Sequence, residues 1–355
     1  MGQASVPEPP VPKTAYEILL EGNGVQFDEK ARTAMTVSCR DCDYIPKVPG
    51  AGGFAQAGAE TVQIMHNGVR VVKDGYDGSW VTEIISSLRG HHEPQEEKVF
   101  HECLQRIGDG GVMLELGSFW AYYSLWFNRQ IPGAINICCE PDPRNLAVGQ
   151  ANAALNGANL RFIHAAAGKA PKAAMDFALE SKPGETISVP VKTVDLIFEE
   201  NKLEKLDLLH LDVQGAELDA LHGAEHTLKS GRVRFVFVST HHFLISADPF
   251  THSRCLDYLQ SLGAHIIAAH TVTESYSGDG LIAVSFDQRD RDFTVEVSCN
   301  HSDKSLFRSP EKDVAALLAG YEALRKQHEH QIWREKHEWL GWPRLRAQLR
   351  RVRFR

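Results

Sequence analysis

The stretch VMLELGSFWAYYS, residues 112–124, decides the fold. Its first five residues, Val112–Leu116, are apolar except for Glu115, the pattern of a short strand buried on both faces. Gly117 follows at once, and the turn after it leads into a helix-like stretch through Arg129. Strand, glycine turn and helix in that order open a βαβ unit.

The same rhythm repeats downstream. Ala134–Cys139 reads as a second strand and Asn145–Asn156 as an Ala-rich helix, with Leu160–His164 a third strand. Leu206–Leu211 is a fourth, followed by a helix over Ala216–Lys229 whose Leu218, Leu221 and Leu228 share a face. Val233–Ser239 is a fifth, with Thr251–Leu262 helical behind it, and His265–His270 and Leu281–Phe286 close the series. Alternation of this kind predicts an α/β fold, a largely parallel sheet covered on both sides. The last two strands are separated by only about ten residues, too few for a helical crossover, so they should pair antiparallel.

Outward from this core, residues 1–13 are Pro-rich and expected to be a disordered tail. Residues 14–90 mix short β-like runs, Glu60–Met65 and Val69–Lys73, with Gly-rich turns, and read as an N-terminal cap of strands and loops. The core domain is placed at 91–290, with His91, His92 and Glu93 opening the helix before the first strand. Residues 291–355 form a C-terminal helical extension. There Ser309–Pro310 starts a helix marked by Val314, Leu317, Leu318, Tyr321 and Leu324, a surface suited to a homo-oligomer. A basic tail runs from Arg344 to Arg355.

Apolar residues make up 43% of the 355 and charged residues 24%, which fits a globular protein. No apolar run approaches the roughly 18 residues of a membrane span, and the first residues lack a signal peptide's apolar segment. The expectation is a cytoplasmic protein. A formal charge of −8 gives no electrostatic reason to expect nucleic acid as a partner. Seven cysteines, scattered and odd in number, suit reduced thiols. Cys39 and Cys42 form a lone C-x-x-C without the second pair a structural zinc site wants.

In doubly wound folds the ligand lies over the first turn, at the C-terminal ends of the strands. A dinucleotide enzyme would carry G-x-G-x-x-G there, so that backbone can approach a pyrophosphate. Here Gly117 stands alone, followed by bulky Phe119 and Trp120. The turn suits a phosphate-free adenosine ligand, and S-adenosylmethionine is one. Glu115 can supply negative charge near its cationic methionyl end. Glu140, at the end of the second strand, suits a bidentate acceptor for two ribose hydroxyls. Gly117, Ser118, Asp142, Ala166 and Asp212 complete the expected cofactor-binding set.

ELGSFWAYYSLWF from Glu115, Glu140-Pro141-Asp142, and LLHLDVQGAELDAL over Leu208–Leu221 together resemble the FkbM family of methyltransferases. The resemblance spans roughly Glu93 to Phe286. Its sharpest element is the run from Asp212 to Glu217, D-V-Q-G-A-E, which matches the family's D-V-E-G-A-E except at Gln214; Ala121 stands where the family commonly has a second glycine. The resemblance implies a Rossmann-like class I methyltransferase sheet and O-methylation of hydroxyls on sugars, glycans or natural products.

The catalytic candidates are Asp212, ending the fourth strand, and His241 and His242, following the fifth. An alcohol acceptor needs a base or a metal to manage its high pKa. In one arrangement His241 or His242 is the base, with Asp212 orienting it or the substrate. In another, all three hold a divalent metal. The metal-free base is the preferred reading, under which chelators leave activity intact. The rivals are an NAD or nucleotide-sugar enzyme on a similar fold, and a catalytically idle cofactor-binding subunit of a glycan-assembly complex.

Overall fold

The computed structural model describes residues 29–179, 181–182, 184–300, 306–307, 325–326, 328 and 330. The chain divides into two compact units, Met1–Arg308 and Ser309–Arg355. The Pro-rich start, the expected helix through Leu324 and the arginine tail all lie outside the described residues. Among the described residues, no helix is long and apolar enough to cross a membrane.

The cap holds a three-stranded antiparallel sheet of β1 (Phe54–Ala57), β2 (Glu60–Ile64) and β3 (Arg70–Val72). It also contains two helices that the sequence reading left out, Glu29–Ser38 and Ser79–Ser87. The second buries Val81, Ile84 and Ile85 at helical spacing, a signal too short to separate from the neighbouring turns. Helix Pro94–Leu104 then leads into the core, with Pro94 in its first turn and Glu93 as its N-cap residue. The Glu97 carboxylate accepts the backbone N–H of His92 at 2.7 Å and of Glu93 at 3.2 Å, satisfying donors at the helix start. Tyr122 donates to the same carboxylate and contacts His66 of the cap, which ties cap to core.

The central sheet contains β4 (Val112–Leu116), β5 (Ile135–Cys139) and β6 (Leu160–Ile163). A smaller three-stranded sheet follows: β7 (Ala166–Ala167), β8 (Lys172–Ala178) and β9 (Thr186–Lys192). The chain then returns to the centre with β10 (Leu206–Leu211), β11 (Val233–Thr240), β12 (His265–His270) and β13 (Gly280–Ser285). The seven-stranded order is β12-β13-β11-β10-β4-β5-β6. β4, β5, β6, β10 and β11 pair in parallel, while β13 runs antiparallel to both β11 and β12. The reversed strand is therefore inserted second from one edge. This is the Rossmann-like class I methyltransferase sheet expected from the alternation and the resemblance.

One local expectation needs correction. The single helix over Ala216–Lys229 is two, Glu217–His222 and Glu225–Lys229. They break at Gly223, the C-cap of the first, which packs so closely on the chain after β7 that a Cβ there would stand 2.2 Å from the Gly168 carbonyl oxygen. The hairpin β8–β9 went unread although Ile187, Val189 and Val191 alternate along β9; β8 is mostly exposed, with only Met175 and Phe177 half-buried.

Candidate functional site

A cavity of about 450 Å3 opens over the C-terminal ends of β4, β5, β10 and β11 and is covered by the cap. That volume is ordinary for a small-molecule site. Gly117, where the chain leaves β4, has φ +74, and a Cβ there would lie 1.6 Å from the Asp212 carbonyl oxygen. The exits of the two central strands thus touch backbone to backbone, and only glycine fits between them.

Glu140 leaves β5 beside this turn. Its Oε2 accepts the Phe119 N–H at 3.0 Å and its Oε1 the Asp142 N–H at 2.9 Å, so one carboxylate pins the first turn to the second strand. Phe119 and Ala121 both take positive φ, 38° and 57°. Ala121 thereby occupies left-handed backbone that glycine adopts without penalty, the physical meaning of the family's usual residue there. Gln214, the other departure, also lies at positive φ, 50°, beside Gly215.

Glu115 is buried, and its Oε2 accepts the Ser124 N–H at 3.1 Å. Burial pushes its carboxyl up to about 7, against the opposing pull of His210 and Ser124. Ser118 and Ala166 line the cavity, and the buried Ser118 hydroxyl has no partner among the described residues. Asp142 does not line it. Its oxygens accept from Arg144 N–H at 2.9 Å, Ser181 N–H at 3.0 Å and Ser181 Oγ at 2.9 Å, which makes it the N-cap of helix Pro143–Asn156.

On the opposite side of Gly117, β10 delivers Asp212 and β11 delivers His241. Because β13 is reversed, its beginning reaches the same end of the sheet, with Gly280 opposite Thr240. Asp279 therefore faces His241. His241 Nε2 lies 3.1 Å from Asp212 Oδ1 and 3.7 Å from Asp279 Oδ1, and Nδ1 lies 2.6 Å from Glu217 Oε1. Burial alone would lower this imidazole's pKa, but Asp279, Glu217 and Asp212 outweigh it and hold the ring protonated well above its usual range. Burial, reinforced by Asp212 and Glu93, pushes Asp279 up to about 7 despite the imidazolium. Its side chain still keeps 26% of its surface, so the carboxylate is reachable.

His242, expected to share this mouth, does not line the cavity. It turns away as the N-cap of the short helix Phe243–Ser246, its Nδ1 accepting the Leu244 N–H at 3.3 Å. Alternation after β11 sends adjacent side chains to opposite sides, so only one of the two histidines can face the pocket.

Sequence reasoning missed the contributions of the cap. Tyr76 stacks on Trp120 at 4.5 Å and 9°, and Asp77, Trp80 and Arg32 line the same space. The signal lay in DGYDGSW, residues 74–80, a glycine-punctuated loop with two aromatics and acids. His210 was also missed. An ionisable residue in the middle of the apolar run LLHL was the clue.

Residues 102–266 match the family model described as the methyltransferase FkbM domain. No curated protein matches the chain. Three solved structures similar to it are an O-methyltransferase from Bacillus cereus in complex with S-adenosylhomocysteine, a precorrin-6y C5,15-methyltransferase from Geobacter metallireducens, and TrmK from M. capricolum in complex with S-adenosylhomocysteine. The first is 15% identical, with 54% of this chain and 81% of that chain covered and a TM-score of 0.36. The second is 14% identical, covers 53% and 87%, and scores 0.34; the third is 12% identical, covers 55% and 74%, and scores 0.33.

Proposed function

We propose, from the premise that residues 102–266 are an FkbM methyltransferase domain, that the chain is an S-adenosylmethionine-dependent O-methyltransferase acting on a hydroxyl of a sugar, glycan or natural product. The observation that carries this reading is the pairing of two buried acids, Glu115 and Glu140, around a turn that carries Phe119 and Trp120 where a pyrophosphate cradle would have glycines. The unpartnered Ser118 hydroxyl and the backbone contact at Gly117 fit a small polar ligand held close to the turn. Glu140 would receive the ribose hydroxyls and Glu115 the ammonium.

When bound, the cofactor supplies a methyl group on a sulfonium, open to in-line attack by an oxygen. The chain must place that oxygen and take its proton. His241 has a carboxylate within ion-pair reach of each ring nitrogen, so as an imidazolium it has no lone pair for a proton. It instead holds Asp212 in place. That leaves the acceptor's proton to a carboxylate, and Asp279, near neutrality and open to the cavity, is the better base. The aromatic faces of Tyr76 and Trp80 beside these acids suit a sugar, whose ring stacks while its hydroxyls donate.

Titration calorimetry tests the reading: S-adenosylhomocysteine should bind and NAD should not, and the reverse result would replace a methyltransferase with a dinucleotide enzyme. Glu140→Ala should weaken S-adenosylhomocysteine about 10- to 100-fold, since each lost charged hydrogen bond costs about 1.5–3 kcal/mol. Unchanged affinity would remove Glu140 from the site.

The affinity should also depend on pH. Glu115 sits at about 7 in the free protein, and a ligand ammonium favours its ionised form, so binding releases a proton. Affinity should rise with pH through 7 and be about tenfold weaker at pH 6 than on the plateau. Calorimetry in buffers of different ionisation enthalpy would register the proton; a flat profile without proton release would count against Glu115.

A further inference from the structure

Among the described residues, three histidines line the cavity: His92, His210 and His241. Two of them have both ring nitrogens beside carboxylates. His92 meets Glu97 at 2.7 Å through Nδ1 and Glu93 at 3.2 Å through Nε2, and His241 lies between Glu217 and Asp212. His210 differs. Its Nε2 lies 2.6 Å from Glu96 Oε1, while its buried Nδ1 has no partner among the described residues. Glu96 is itself held by the Ser239 hydroxyl at 2.7 Å, so the ring orientation is set from behind. Tyr123 packs on the ring with centroids 4.5 Å apart. Burial would lower the pKa of His210, but the Glu96 hydrogen bond and charge outweigh it and bring the ring to about 9. At neutral pH, Nδ1 is therefore an N–H donor.

The position of that donor is informative. β10 and β4 are parallel neighbours, and His210 stands directly opposite Glu115 in their register. Residues in register on adjacent strands project to the same face, so a buried acid and a buried cation stand side by side at the cavity floor. A buried donor without an acceptor is unfavourable, so the site favours a ligand that supplies one. Arg32, another cation on the cavity wall, donates through Nη2 to the Ser277 carbonyl at 2.9 Å and lies over the Trp80 ring, while its buried Nε has no partner among the described residues; unlike His210, it does not stand in register with Glu115.

We propose that His210 and Glu115 form a cradle for an α-amino-acid zwitterion, with Glu115 taking the ammonium and the Nδ1–H of His210 taking the carboxylate of the cofactor's methionyl end. Ser118, whose buried hydroxyl is also unpartnered, is a second donor at that end. The assignment rests on the S-adenosylmethionine reading above and adds the residue that recognises the ligand's one anionic group.

The test varies residue and ligand together. S-adenosylhomocysteine carries the whole zwitterion. Its decarboxylated analogue, 5′-deoxy-5′-(3-aminopropylthio)adenosine, keeps the ammonium alone, and 5′-methylthioadenosine keeps neither charge. Calorimetry on the wild-type chain should show S-adenosylhomocysteine binding about 10- to 100-fold tighter than the decarboxylated analogue. His210→Gln should remove most of that advantage, leaving the affinities for the analogue and for 5′-methylthioadenosine within about twofold of wild type.

Equal weakening of all three ligands by His210→Gln would make His210 a packing residue and overturn the proposal. So would a wild-type chain that binds the decarboxylated analogue as tightly as S-adenosylhomocysteine, a result that stands even if the variant fails to fold. A wild-type chain that binds NAD and none of the three would instead overturn the methyltransferase reading, which separates the two failures.

Discussion

Gly117→Ala is expected to abolish binding of S-adenosylhomocysteine and to lower the melting temperature sharply. The added Cβ would lie 1.6 Å from the Asp212 carbonyl oxygen and 2.7 Å from its carbon. Both obstacles are backbone, so no side chain can swing aside. The residue also sits at φ +74, which alanine adopts only at a cost of about 1–2 kcal/mol. Relief requires the exits of β4 and β10 to separate, and those exits carry Glu115, Asp212 and the cavity floor. Loss of about 3 kcal/mol or more follows from combining the strain with the steric clash. Gly108→Ala is the control, because nothing lies within 4 Å of the Cβ it would gain. A Gly117→Ala protein that melts with wild type and binds the ligand normally would show that the two strand ends do not meet as described.

The second large effect concerns turnover. Asp279→Asn keeps the shape of the side chain but removes the proton acceptor proposed for the acceptor hydroxyl. Methyl transfer, followed as S-adenosylhomocysteine formation on a sugar acceptor found by screening, should fall about 10²- to 10⁴-fold, the usual contribution of a positioned general base. Affinity for S-adenosylhomocysteine should hardly change. Because Asp279 is raised to about 7 and acts as its carboxylate, kcat/KM for the acceptor, measured with saturating S-adenosylmethionine so that Glu115 is held ionised by the bound ammonium, should climb with pH and level off above neutrality. The variant should lose that limb. His241 remains protonated across the same range, so its titration does not produce the limb. A variant that keeps the wild-type rate and pH profile would exclude Asp279 and return attention to Asp212.

The two sides of the pocket differed in how far they could be read beforehand. Glu115, Gly117, Glu140, Asp212 and His241 were nameable because each falls at or just beyond the end of a strand whose apolar run is visible in the chain. A parallel sheet brings such ends together, so locating the strands also locates these residues. Asp142 and His242 were named on the same ground, yet both became helix caps. Short side chains next to a helix start can satisfy its free N–H groups, and nothing local reveals which duty prevails. Asp279 lies just before β13, and its approach to His241 needed the reversed strand to be threaded beside β11.

Local pattern was thus sufficient for the alternating strands and helices, the antiparallel final hairpin, the solitary glycine and the two acids flanking it, because each depends on neighbours within a few residues. The protonated clamp on His241, the waiting nitrogen of His210 and the roof of Tyr76 and Trp80 exist only after folding. They depend on groups distant along the chain and on the burial that strengthens charge interactions between them, and neither is written in any short stretch of residues.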